Sequence, residues 1–180
     1  AQCAAGLAAA HELGIVHRDL KPDNIMVVAG KDREIVKLVD FGIAKAKDRV
    51  DETRSGVIKG KFGYMSPEQA NAEPVDHRTD IFSFGVLLYE LFSGTLPFKG
   101  QGSIETMHAI LHSAPAPMRL TADAMPAAAA DDVQRIVEKC LAKDPESRYQ
   151  GMKDLVVDLR SARRRLDSAS ATATVPIPRL

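Results

Sequence analysis

Two stretches of this chain concentrate side chains that handle protons, cations and phosphates. His17-Arg18-Asp19-Leu20-Lys21-Pro22-Asp23-Asn24 sets acids, bases and an amide between apolar neighbours, and Asp40-Phe41-Gly42 supplies a further acid downstream. Charges in such number are costly in a core, but they suit a site for a metal and a phosphate. The oxygens of Asn24 and Asp40 fit a hard cation such as Mg²⁺, which takes carboxylate, carbonyl and phosphate oxygens in octahedral geometry. Asp19 is then left for a proton or a hydroxyl. The plain alternative is a surface loop of solvated charges.

The apolar pattern shows which elements must hold these residues. Ile25-Met26-Val27-Val28 and Ile35-Val36-Lys37-Leu38-Val39 flank a turn at Gly30-Lys31-Asp32-Arg33, which predicts a short hairpin with Asn24 and Asp40 at its paired ends. Met26 in that hairpin reads first as core filler. Residues 1–13 are rich in alanine and leucine and stop at Gly14, a helix with a glycine end. Residues 76–94 contain a segment apolar almost all round, which predicts a buried central helix, with Asp80 as its early acid and a possible cap. Shorter helices are expected at 104–112 and 131–142, the second led in by acids. His108 and His112 lie four apart, but with no third ligand beside them they read as a solvated pair, and His11 and His77 read as incidental. A last amphipathic helix spans about 150–166 and ends in Arg163-Arg164-Arg165, suited to a helix carboxyl end; 167–180 reads as a disordered tail or linker.

Composition bounds the rest. The 180 residues are 45% apolar and 27% charged, with 24 Lys+Arg against 24 Asp+Glu, which fits one globular domain and gives no broad attraction to nucleic acid. Cys3 and Cys140 form no metal-ligand pattern and suit buried thiols in a reducing compartment. No apolar run reaches the ~20 residues of a membrane-spanning helix, so a cytoplasmic location is expected, or the cytoplasmic side of a longer, membrane-anchored protein.

The ordered motifs His17 to Asn24, then Asp40-Phe41-Gly42, then Met65-Ser66-Pro67-Glu68 resemble the catalytic loop, metal-binding loop and A-P-E segment of the eukaryotic-type protein kinases, with Ser in place of Ala. Met65 to Ala70 is similar to bacterial members. The resemblance covers 1–166 and implies a mainly α (α+β) fold: the larger, carboxy-terminal kinase lobe, with a helical core and short β-hairpins carrying the catalytic and metal loops. It implies ATP and Mg²⁺ as cofactors and protein Ser/Thr hydroxyls as acceptors. Asp19 would be the catalytic base and Lys21 would meet the γ-phosphate. Lys21, Asp23, Asn24, Met26 and Asp40 would face the nucleotide, with Met26 flooring the adenine pocket, and Asn24 and Asp40 would hold the metal. Lys21 also points to serine/threonine over tyrosine acceptors.

Structural roles are implied for His17, Arg18, Phe41, Gly42, Glu68, Asp80 and Arg148. Asp80 would accept catalytic-loop amides, and Arg148 in Lys143-Asp144-Pro145-Glu146-Ser147-Arg148-Tyr149 would pair with Glu68. The polar stretch 42–64 matches the activation segment, where Thr53 and Ser55 are the candidate phosphorylation sites, with Arg18 and Lys45 as phosphate partners. One departure is Lys61, where such kinases carry a threonine; a Lys61–Asp19 salt bridge is the expected substitute. No Gly-rich loop, strand lysine or pairing glutamate precedes residue 1, so the amino-terminal lobe is absent and weak ATP binding is expected. The competing reading is a non-catalytic kinase remnant that binds other proteins.

Overall fold

Alanine and leucine build the first helix, α1 (Gln2–Glu12), in the computed structural model of the chain, which describes residues 1–41, 61–118 and 127–172. Its buried side is Ala4 and Leu7. Gly14 ends it at φ +71°, a left-handed conformation that favours glycine, while the Gly14 and Ile15 amides donate to the carbonyls of His11 and Ala10. That reversal sends the chain into the His17 to Asn24 loop. His17 and Leu20 fix the loop to the interior at 0% and 1% exposure.

The expected hairpin forms from β1 (Ile25–Ala29) and β2 (Glu34–Leu38), antiparallel with Ile25 opposite Leu38 and Ala29 opposite Glu34. It is the single sheet among the described residues. Gln2 closes its outer edge: the side-chain Nε2 donates to Glu34 O at 3.0 Å, and Val36 N donates to Gln2 Oε1 at 3.1 Å. These bonds occupy edge groups that would otherwise seek another strand.

After a 3₁₀ turn at Lys61–Tyr64 and the short α2 (Pro67–Ala70), the central helix α3 (Arg78–Ser93) buries ten residues, among them Ile81, Phe82, Phe84 and Val86. Apolar side chains fully buried this way contribute about 1.5–3 kcal/mol each, and Gly94 ends the helix at φ +71°. Gly85 is needed for close approach. A Cβ there would lie 2.5 Å from Cys140 Cβ, where α3 meets α5 (Ala127–Cys140). α4 (Ser103–His112) lies between these two in sequence and buries Ile110, and α6 (Met152–Thr172) packs on α1 and α5. The helix-rich arrangement agrees with the expected mainly α lobe.

Two boundaries correct the sequence reading. α6 runs to Thr172, past the expected end at 166, because Asp167 to Thr172 contains neither Gly nor Pro, and alanine and serine propagate a helix once it has started. Arg163 to Arg165 therefore lie inside the helix, and Arg163 faces Asp167 at 3.8 Å. α5 begins at Ala127 because the run Ala127 to Ala130 is itself a strong helix former, so Asp131 and Asp132 fall in its second turn.

Candidate functional site

The loop after α1 is held by Asp80. Its carboxylate, 0% exposed, accepts the backbone amides of His17 and Arg18 at 2.8 Å each, so it grips the loop and does not cap its own helix. A third partner is His11, whose Nε2 donates to Asp80 Oδ2 at 2.8 Å. His11 is thus not incidental. Its ring also meets His77 edge-on at 5.4 Å between centroids, and His77 Nε2 donates to Gln150 O. No sequence motif marked His11; only its position before the Gly14 reversal hints at it.

Arg18 sits at φ +64°, a conformation that costs a non-glycine residue about 1–2 kcal/mol and persists where its surroundings impose it. Its amide is held by Asp80, and its carbonyl accepts Gln69 Nε2 at 2.8 Å. Gln69 is also a residue the sequence reading missed, although Ser66-x-x-Gln69 is a capping-box pattern. In α2 that box forms: Ser66 N donates to Gln69 Oε1, and Gln69 N donates to Ser66 Oγ.

Asp19 follows Arg18 and is met by two donors. Lys21 Nζ lies 3.0 Å from Asp19 Oδ2, and Asn24 Nδ2 donates to the same oxygen at 3.2 Å and to the Asp19 carbonyl at 2.7 Å. Lys21 and Asn24 are both buried, at 8% and 4% exposure. With its nitrogen turned to Asp19, Asn24 has its Oδ1 as the atom suited to a cation.

His17 joins the two motifs. Its Nε2 donates to Val39 O at 3.1 Å, its Nδ1 accepts the Asp19 amide at 3.4 Å, and Phe41 packs on its ring at 4.6 Å between centroids. Val39 N donates to Asn24 O at 3.0 Å, extending the hairpin register by one pair. Asp40 follows, exposed and at φ +56°. Asp23 is exposed in the 3₁₀ turn Pro22–Asn24.

Asn24 offers an amide oxygen and the exposed Asp40 a carboxylate, oxygen donors of the type Mg²⁺ takes. Among the described residues no group of three or more His, Cys, Asp or Glu could hold a metal. His108 and His112 are both exposed, with ring centroids 4.7 Å apart.

Met26 is 49% exposed on the hairpin, which overturns the core-filler reading; the adjacent Val27 is 59% exposed, so both faces of the two-stranded sheet are open at this point. Glu68 and Arg148 form the expected buried pair, with Arg148 donating to Oε1 at 2.8 Å and to Oε2 at 2.9 Å. Burial alone would raise the Glu68 carboxyl, but the Arg148 hydrogen bonds and charge outweigh it and hold it below its ordinary range. Gly42, Lys45, Thr53, Ser55 and the side chain of Lys61, with the proposed Lys61–Asp19 bridge, lie outside the described residues. A shallow open cleft is lined by Arg18, Asp19, Leu20, Lys21, Tyr64, Met65, Gln69 and Ser83. On its wall Tyr64 donates to Glu90 at 2.5 Å. No helix among the described residues is long and apolar enough to cross a membrane.

A model of the protein kinase domain matches residues 1–158. The chain is similar to the serine/threonine-protein kinase pkn3 of Myxococcus xanthus, 38% identical over 99% of this chain and 35% of that protein. A probable serine/threonine-protein kinase of Clostridium acetobutylicum is 42% identical over 90% of this chain and 24% of its own length. The tyrosine-protein kinase MasK of Myxococcus xanthus is 40% identical over 81% of this chain and 23% of its own length. The chain therefore spans about a third or less of the relatives it matches.

Proposed function

The chain belongs to the protein kinase family, and from that premise we propose that it is the catalytic-loop part of a serine/threonine protein kinase, one that moves the ATP γ-phosphate to protein hydroxyls. The observation that carries the reading is the shared hold on Asp19: Lys21 at 3.0 Å and Asn24 at 3.2 Å meet one of its oxygens. A carboxylate fixed this way orients an acceptor hydroxyl and takes its proton as the phosphoryl group leaves ATP. Lys21, beside it, meets the charge on the transferring phosphate. Asn24 through Oδ1 and Asp40 through its carboxylate would hold Mg²⁺, which when bound neutralises phosphate charge. Because the transition state is loose, these residues act by positioning and by electrostatics.

Protein substrates and ATP are the partners this reading requires, with Asp23 and Met26 at the nucleotide and Thr53 and Ser55 as sites of phosphorylation. A cytoplasmic location suits two free cysteines and an ATP-dependent reaction. The kinase part is placed at 1–166, a boundary that falls inside helix α6, so a linker would begin only beyond Thr172.

The test uses the full-length protein that contains this chain, with Mg·ATP and a mixed peptide pool, followed by phosphoamino-acid analysis. Phosphoserine or phosphothreonine is expected, with the signal lowered about 10²–10⁴-fold by Asp19→Ala. Activity unchanged by Asp19→Ala would sink the assignment, and phosphotyrosine alone would replace the acceptor class.

A further inference from the structure

We propose that Gln69 is a positioning residue for Asp19, acting through the carbonyl of Arg18; this rests on the kinase reading above and extends it. The peptide groups around Arg18 are fixed from two sides. Asp80 Oδ1 accepts the Arg18 amide, and Gln69 Nε2 donates to the Arg18 carbonyl, both at 2.8 Å. That carbonyl belongs to the peptide bond leading into Asp19. A left-handed arginine immediately before the base is a conformation its surroundings must impose. Gln69 supplies one of the two restraints seen on that residue's backbone, and it lines the same cleft as Asp19 and Lys21.

The two restraints are joined behind the loop. Ser66 Oγ and Thr79 Oγ1 share a buried hydrogen bond at 2.5 Å, linking α2 to the first turn of α3. Thr79 precedes Asp80 in the chain, and Ser66 is closed onto Gln69 by the capping box. A ring therefore runs from Arg18 to Asp80, through Thr79 and Ser66 to Gln69, and back to Arg18. Within it, Gln69 uses both ends of its amide. The oxygen serves the cap, and the nitrogen serves the catalytic loop. Glutamate can keep the first role but, when ionised, not the second, since a carboxylate only accepts.

This division supplies the test. In the full-length protein, Gln69→Glu and Gln69→Leu are compared with wild type for kcat, for KM of ATP, for melting temperature and for the amide ¹⁵N resonance of Asp19. Gln69→Glu leaves the Arg18 carbonyl without this donor, so it is expected to melt somewhat below wild type while keeping the cap, and kcat falls about 2- to 12-fold, the worth of one neutral hydrogen bond. KM for ATP stays put and the Asp19 resonance moves in both variants. Gln69→Leu also loses the cap, so its melting temperature falls further. If Gln69→Glu retains wild-type kcat and an unmoved Asp19 resonance while the wild type is active, the role of Gln69 is overturned and the kinase reading stands. An inactive wild type with an unmoved resonance removes both.

Discussion

Arg148 reaches Glu68 with both terminal nitrogens across 80 positions of sequence, and both residues are buried. The guanidinium also donates to the carbonyls of Ala142, Lys143 and Arg78, and it packs 5.0 Å from the Phe82 ring centre. One side chain thus joins α2 to the central helix and to the turn before α6.

Breaking this pair by removing one member leaves a buried charge uncompensated, which typically costs about 3–5 kcal/mol. Glu68→Gln is expected toward the lower end, because the amide oxygen can still accept from Arg148. Arg148→Met is expected to cost more, because three main-chain carbonyls lose their donor as well. Urea midpoints of the two variants check the order, and equal midpoints would contradict it. The lowered Glu68 carboxyl gives the sign with pH: its stabilisation is present above the ordinary glutamate value of about 4.3 and is lost as pH falls through the lower folded value.

His11 supports the His17 to Asn24 loop at one remove, through Asp80. His11→Leu removes a donor from the buried Asp80 carboxylate, which keeps the two loop amides. A loss of about 1–3 kcal/mol follows from leaving a buried polar atom short of a partner. Hydrogen exchange at the His17 and Arg18 amides should quicken beyond the global change in stability. Unchanged exchange there would mean that Asp80 holds the loop without help from His11.

Lys143 is the basic counterpart. Its ammonium lies 3.6 Å from the Phe98 ring centre and donates to Ile110 O at 2.5 Å, closing the end of α4. Burial, followed by the nearby Arg148 cation, lowers it to about 8. Between that value and the ordinary lysine value of about 10.4, the unfolded chain binds a proton the folded chain has released. Stability therefore rises with pH across that window as far as Lys143 is concerned. The wild type should gain on Lys143→Met when urea midpoints are compared at pH 7.5 and pH 9.5, values chosen as about half a unit below and well above the folded value. A constant gap would show that the folded lysine titrates normally.

The motifs around Asp19, Asn24 and Asp40, the hairpin between them and the apolar central helix were all legible in the sequence. Each is written locally: in two apolar runs flanking a turn, in glycine stops at Gly14 and Gly94, and in a helix with almost no polar face. The Glu68–Arg148 and Asp80 contacts were anticipated through family resemblance. What the chain alone left undecided depends on contacts between distant segments. His11 and Gln69 look like ordinary helix residues until α1 and α2 are brought against the same loop, where one meets Asp80 and the other Arg18. Met26 is apolar by type, but the two-stranded sheet is uncovered on both faces there, leaving Met26 and Val27 half exposed or more. The end of α6 went past its reading because serine and alanine are compatible with both tail and helix, and once the preceding turns are anchored on α1 and α5 helix propagation decides between them.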